Sequence, residues 1–395
     1  MNLLLKGFEL ELFTGRADGT VEGCSVEAAA TFADVVTEPD RRNLEYTTAP
    51  HPDYSEQLCR LLRPRRRLRS WLQGRGLTLL PGSCLSLGDS SRFDRSDPGN
   101  PYHDFIEQAY GSRVVTASVH INFGIPDPEL LLAACRLLRC EAALLLALSA
   151  SSPFLDGAAS GFHSQRWQQF PLTPERVPLF ENHTHYIRWV EAQLRSGAMR
   201  NVRHLWCSVR PNGESRPYGI NRIELRICDL VVDPLQLLAI TAFAELRLLQ
   251  LLAAPEQLDP LRVSRLDAQA LPALIRRNDR AAARASLDAP LRHWRDGATL
   301  IARHWINALR EEMAPLAART GLDRWLAPLD KLLSQGNTAM RWLALHRSGQ
   351  SVAAIIVDAT AAMVRQEEQQ SMALCGESGV PFEMIGGLQR LEGRR

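Results

Sequence analysis

The chain has 395 residues, enough to bury a large core in one domain with a helical appendage. Lysine plus arginine number 46 against 44 for aspartate plus glutamate, so a net charge of +2 directs the protein to neither nucleic acid nor a membrane surface, and small molecules are the expected partners. Eight cysteines without a Cys-x-x-Cys pair or zinc-like spacing read as reduced thiols, and residues 1–6 leave no room for a secretory signal, so the expected location is cytoplasmic.

In chain order, the first element is Gly7 to Phe13, where Phe8, Leu10 and Leu12 alternate with Glu9 and Glu11. That alternation predicts a strand with one buried face and puts both glutamates together on the other. Two carboxylates one strand repeat apart repel, so on a concave surface they need a cation or water between them. On an isolated strand they read simply as solvated side chains. Residues 15–23 form a turn, and Val35 to Pro39 leads to a second alternating run. There Leu44 and Tyr46 form the apolar face, and Asn43, Glu45 and Thr47 the polar one. Residues 54–74 read as a helix interrupted by Pro64. Its arginines (Arg60, Arg63, Arg65, Arg66, Arg67, Arg69) have no interleaved aromatics beyond Trp71, which fits a solvated or salt-bridged face better than a nucleic-acid footprint.

Residues 82–101 are rich in Gly, Pro, Ser and Asp and long for a passive connection, which suggests a binding loop or lid. A helix is expected over 102–110 and a third strand over 114–124, where Val119, Ile121 and Phe123 alternate with Ser118, His120 and Asn122. Two apolar runs, 130–150 and 235–254, approach membrane-spanning length. Arg136, Arg139 and Glu141 in the first, and Glu245 and Arg247 in the second, argue instead for buried helices. Within 173–195 a helix puts His183 and His185 on different faces, as ordinary surface histidines. A strand follows at 205–210, and Arg222 to Ile227 alternates again, with Arg222, Glu224 and Arg226 on one face. From Pro255 the pattern is helical to about residue 370. The expected organisation is a catalytic sheet with packing helices over 1–254, a helical part over 255–370 completing the same domain, and a mobile tail over 371–395.

Four predicted strands thus carry ionisable residues: Glu9 with Glu11, Glu45, His120, and Glu224 with Arg226. If they share one antiparallel sheet whose apolar face lies on helices, their polar faces coincide. Carboxylate oxygens with one imidazole suit magnesium or manganese. Neither a P-loop, a dinucleotide-binding glycine motif nor a nucleophile elbow is present, so phosphate would be held by metal and by arginines such as Arg210 and Arg226.

Five stretches resemble the glutamate–cysteine ligase superfamily in matching order: Gly7 to Glu11, Asn43 to Pro50, Val119 to Gly124, Ser149 to Phe154, and Ile223 to Asp229. The likeness is to the cyanobacterial-type branch, near the carboxylate-amine ligases, and it extends to Asn278, Ala282 and Arg284. It implies an α+β fold, with about six antiparallel strands curved into a funnel like that of glutamine synthetase. It also implies ATP and magnesium on the concave face. ATP would phosphorylate the γ-carboxylate of glutamate, and the amine of cysteine would displace phosphate to give γ-glutamylcysteine, the first step of glutathione synthesis. The implied metal ligands are Glu9, Glu11, Glu38, Glu45, His120 and Glu224, with Asp40 competing with Glu38. The implied ATP contacts are Glu9, Asn122 and Arg226, and the catalytic groups Arg226, Arg210 and Arg284. At Ser208 the chain departs from relatives that carry an acid there. A ligase for another amine and a catalytically silent binding protein are the alternatives. No nucleic acid or membrane partner is expected, and the protein would be a monomer or homodimer.

Overall fold

The computed structural model describes residues 2–376. Its centre is a seven-stranded antiparallel sheet: β1 (Lys6–Gly15), β2 (Val35–Thr37), β3 (Asn43–Thr47), β4 (Thr78–Leu80), β5 (Val119–Gly124), β6 (Val209–Asn212) and β7 (Arg222–Leu225). Six strands run in the order β2-β3-β1-β5-β7-β6, and β4 pairs with the end of β1. The alternation works as expected. Phe8, Leu10 and Leu12 of β1, Leu44 and Tyr46 of β3, Val119, Ile121 and Phe123 of β5, and Ile223 and Leu225 of β7 are all buried in one hydrophobic cluster. The opposite faces therefore carry the acids.

Helices cover the apolar face. We label α1 (Tyr54–Gln73), α2 (Pro128–Ser149), α3 (Pro234–Ala253), α4 (Leu271–Ala285) and α5 (Val352–Leu374). Asp53, Asp127 and Asp233 cap the first three by accepting from Glu56 N, Leu130 N and Leu235 N, and proline opens α2 and α3. Among the described residues α3 alone has the length and apolarity of a membrane span, and most of it is buried. The ions that argued against membrane helices are themselves buried: Arg136 pairs with Asp259, Arg247 with Glu141 and Glu245 with Lys6 at 3.0 Å, while Arg139 donates to the carbonyls of Val177 and Pro178.

Several expectations need correction. Pro64 does not interrupt α1, which is continuous, and the arginines there divide. Arg65 and Arg69 are buried against Glu367 of α5, whereas Arg60 stays near the surface beside Glu56. The strand expected at 205–210 occupies Val209–Asn212, because Val202–His204 winds into a 3-10 turn and Trp206 pairs with Thr173 instead. The third strand starts at Val119, after a 3-10 turn at Gly111–Val114. Residues 290–301 form a small hairpin within the otherwise helical second half.

The cysteines are not all reduced thiols. Cys59 on α1 and Cys375, just beyond α5, form a disulfide across 316 residues of chain. Spacing could not reveal it, because the packing of α5 on α1 creates the pairing. The remaining six cysteines are buried and free. The expected tail boundary also moves, since α5 is helical through Leu374 and Ser371 is buried. Residues 377–395 of that tail lie outside the described residues.

The Lys6–Glu245 pair generates a stability prediction. Both side chains are fully enclosed, and Glu245 also accepts from Tyr54 Oη and Leu4 N. Glu245→Ala leaves a buried ammonium without its partner and should cost about 3–5 kcal/mol in urea unfolding. Arg60→Ala, at the solvent-facing pair, should cost less than about 1 kcal/mol. Equal losses in the two variants would show that the buried pair is not structurally important.

Candidate active site

Strand register assembles the site. Glu11 lies opposite Glu45, and Glu9 opposite both Thr47 and His120. On β5 and β6, Asn122 and Arg210 both face Glu224 of β7. These residues line the polar side of the sheet, which forms the floor of a cavity of about 880 Å³. Its walls come from the loop at 36–39, the segment 97–106, and the hairpin joining β6 to β7. The long loop at 82–101 does reach the site, contributing Asp97 and Asn100.

One end of the cavity is acidic. Glu9, Glu45 and His120 offer donor atoms that all lie within 4.8 Å of one another, as do Glu11, Glu38 and Glu45. His120 Nδ1 is 3.0 Å from Glu9 Oε2, and Asn122 Nδ2 donates to Glu9 Oε1 at 3.0 Å. Ser118 Oγ donates to Glu11 Oε2 at 2.7 Å and stands 3.0 Å from His120 Nε2. Burial, then the charge of Glu11, push Glu38 up to about 8. Burial, then Glu38 and Glu9, raise Glu45 well above the usual carboxylate range. For Glu9 burial acts upward too, but the His120 hydrogen bond and the charges of His120 and Arg226 bring it below the usual range.

Glu38 and Asp40 differ in their partners. Asp40 is buried and accepts from Arg42 Nε, Arg42 Nη2 and Asp94 N, which commits it to pinning the loop. Glu38 faces the other acids, its backbone carbonyl held by Ser96 Oγ at 2.6 Å.

The other end is basic. Glu224 is fully buried, yet it belongs to neither acid cluster. Arg210 grips it through Nε at 2.7 Å and Nη2 at 2.9 Å, Asn212 Nδ2 donates at 2.7 Å, and Arg226 Nη1 also donates. Burial opposes ionisation here, but Arg210 and Arg226 hold Glu224 well below the usual range. Its expected part as a metal ligand therefore contrasts with its observed bonding, in which it organises arginines. Arg284 is exposed on α4 and is not among the cavity-lining residues, so the structure does not bring it to the site.

Sequence reasoning missed several residues. Arg203, Arg216 and Arg222 line the basic end, and Tyr102, Phe170 and Trp206 form an aromatic flank. Apart from Arg222, which shares the alternating run of Glu224 and Arg226, none lies in an alternating run with the acids. Arg166 was also missed. It is buried, and its guanidinium donates to the carbonyls of Arg226 and Ile227 at 3.0 and 3.2 Å. Behind it, Asp229 accepts from Ser151 N, Ser152 Oγ and Ser164 Oγ at 2.7–2.9 Å. Acids that attract cations, beside guanidinium groups that attract anions, suit transfer between highly charged oxyanions.

Comparison with known proteins places this geometry. A crystal structure of glutamate–cysteine ligase from Francisella tularensis in complex with AMP superposes with a TM-score of 0.74 at 14% identity, covering 100% of this chain and 93% of that one. A bifunctional glutathione synthetase from Pasteurella multocida gives 0.68 at 16% identity, covering 94% of this chain and 54% of that one. At such identities the likeness shows the fold, a glutamate–cysteine ligase-type α+β architecture. Among sequences, a Gloeobacter violaceus protein named "Putative glutamate–cysteine ligase 2" is 28% identical over 253 residues, 64% of this chain and 65% of that protein. One of the same name from Sorangium cellulosum is 28% identical over 287 residues, covering 72% of this chain and 73% of its own length. The sequence pattern of glutamate–cysteine ligase family 2 matches residues 5–367, and the chain belongs to that family.

Proposed function

We propose that the protein joins the γ-carboxylate of glutamate to the amine of cysteine at the expense of ATP, giving γ-glutamylcysteine. The observation that carries the proposal is the acid cluster set beside Arg226 in a cavity of the family's fold. The γ-phosphoryl group of ATP passes to the glutamate γ-carboxylate, releasing ADP. The amine nitrogen then attacks that carbonyl, and phosphate leaves as the amide forms. The Francisella ligase was solved with AMP, which supports a nucleotide in this cavity.

The donor set fits magnesium. It is almost all carboxylate oxygen with a single imidazole, and its acids repel one another unless a cation or protons intervene. Glu9, Glu11, Glu38, Glu45 and His120 would hold it. When bound, magnesium supplies positive charge to the phosphate oxygens. The chain's own residues do the rest. His120 and Asn122 fix both oxygens of Glu9, and Ser118 fixes Glu11. Glu224 aims Arg226, whose buried Nε has no partner among the described residues, toward charge developing on the transferring phosphoryl group. Arg166 steadies Arg226 from its backbone side.

A second reading, the same reaction with another amine, is favoured by the aromatic flank of Tyr102, Phe170 and Trp206, which offers stacking area to an acceptor larger than cysteine. ADP release separates the two. We expect release with glutamate and magnesium to rise on adding cysteine and to stop in chelator. Stimulation by other amines but not cysteine would reject cysteine as the acceptor, and metal-independent release would reject the metal site.

Glu11→Gln removes one charge from the acid cluster while keeping the Ser118 contact sterically possible. Turnover should fall by about a hundredfold or more with little change in unfolding midpoint, and wild-type rates would refute the assignment.

Stability of the metal-free protein should respond to pH with a defined sign. Glu38 and Glu45 hold protons more tightly folded than unfolded, so their contribution is complete below about pH 4.5 and lost as pH rises toward about 8. Thermal unfolding in chelator should show that decline. Glu38→Gln should flatten it, and an unchanged slope in that variant would exclude Glu38 as the source.

A further inference from the structure

Three guanidinium groups converge on one carboxylate at the basic end of the cavity. Arg210, Arg226 and Arg216 all approach Glu224 within 4 Å, but they differ in what they obtain from it. Arg210 takes a two-point bond and Arg226 a direct one. Arg216 reaches only to 3.9 Å, and its buried Nη1 has no hydrogen-bond partner among the described residues. Glu224 has no capacity left, since Asn212 uses the remaining direction. Glu214, two residues away in the chain, is exposed, and among the described residues no hydrogen bond or ion pair joins it to Arg216. Three positive charges thus face one negative charge. A largely buried guanidinium with an unanswered N–H carries a desolvation cost that an arriving anion would offset.

The position is built, not incidental. Arg216 sits in the hairpin between β6 and β7, where Tyr218 N and Gly219 N donate to the Ser215 carbonyl. At Gly213 the two arms approach so closely that a Cβ would collide with the Gly219 carbonyl. Asn212 accepts from Gly213 N through its side chain while donating to Glu224, which couples the turn to the arginine cluster. Arg203 stands at the rim of the same end with its guanidinium uncommitted among the described residues.

We propose that Arg216 is the anchor of a substrate-anion subsite that takes the non-reacting carboxylate of the amino-acid donor. Arg203 closes on it from the rim. The assignment rests on the ligase reading. It adds that the donor spans the cavity, with its reacting carboxylate beside the acid cluster and Arg226, and its other carboxylate at the hairpin. Two carboxylates on one small molecule match two separate guanidinium groups, Arg226 and Arg216, whereas a monocarboxylate engages only one of them.

The test pairs glutamate with 4-aminobutyrate, which keeps the reacting carboxylate and lacks the second one. With the full-length chain and calorimetric titration, wild type should bind glutamate at least tenfold more tightly than 4-aminobutyrate. Arg216→Gln should abolish that preference, and Arg216→Lys should restore part of it. In steady state, Arg216→Gln should raise KM for glutamate by tenfold or more, with KM for ATP within twofold and kcat within threefold of wild type. A structural role would instead lower the unfolding midpoint and shift all three parameters together. A rise confined to KM for ATP would assign the anion to nucleotide phosphate and overturn the proposal, as would equal binding of the two carboxylates by wild type. Absence of ligation with every amine, alongside an intact Arg216-dependent preference, would reject the ligase reading and leave the subsite standing.

Discussion

The site depends on the mutual repulsion of carboxylates that a sheet forces together. Glu9 and Glu11 share a face because residues two apart on a strand must, and antiparallel register sets Glu45 directly opposite Glu11. Unrestrained side chains would splay into water. Here they cannot, because Phe8, Leu10, Leu12, Leu44 and Tyr46 are locked into the core on the other face. A register slip that separated the acids would expose that whole apolar set. The burial of the core thus holds the acids in place.

Each acid meets the repulsion differently. Glu9 is stabilised as an anion by His120 and Asn122, and Glu224 by arginines. Among the described residues no such bond joins Glu38 or Glu45, and burial beside the other acids shifts both toward the protonated form. The two acids that remain unsatisfied are the ones a cation would serve most. On the basic side, a buried network performs the matching task. Asp229 gathers Ser151, Ser152 and Ser164, and Arg166 stands 3.9 Å from it and holds the backbone of Arg226. The serine-rich stretch after α2 and the Cys228-Asp229 pair after β7 are therefore two halves of one support for Arg226.

Much of the sheet was legible because alternation is a local property. Glu9, Glu11, Glu45 and His120 could be assigned to one face from Leu10, Leu44 and Val119 alone. What was illegible depended on distant chain. Asp40 and Glu38 look alike in sequence, and only Arg42 and Asp94 show that Asp40 is committed. Cys59 and Cys375 become neighbours only when α5 packs on α1. The strand expected from Leu205 shifted to Val209 because Trp206 bonds to Thr173, a segment with no periodic signal. Arg216 lies in a turn, where neither helical nor strand spacing speaks.

Glu224 shows the limit most sharply. By alternation it is equivalent to Glu9: an acid between apolar residues on a polar face. Both are held as anions, but by different groups, because the residue opposite Glu224 on β6 is Arg210, whereas the residue opposite Glu9 on β5 is His120. Pattern assigns a face, and pairing assigns a charge environment. This difference in partners contributes to the acidic and basic ends of the cavity, at strand positions that look the same when each strand is read alone. The register of β6 on β7 therefore sets the electrostatics of the cavity as well as contributing to the stability of the sheet.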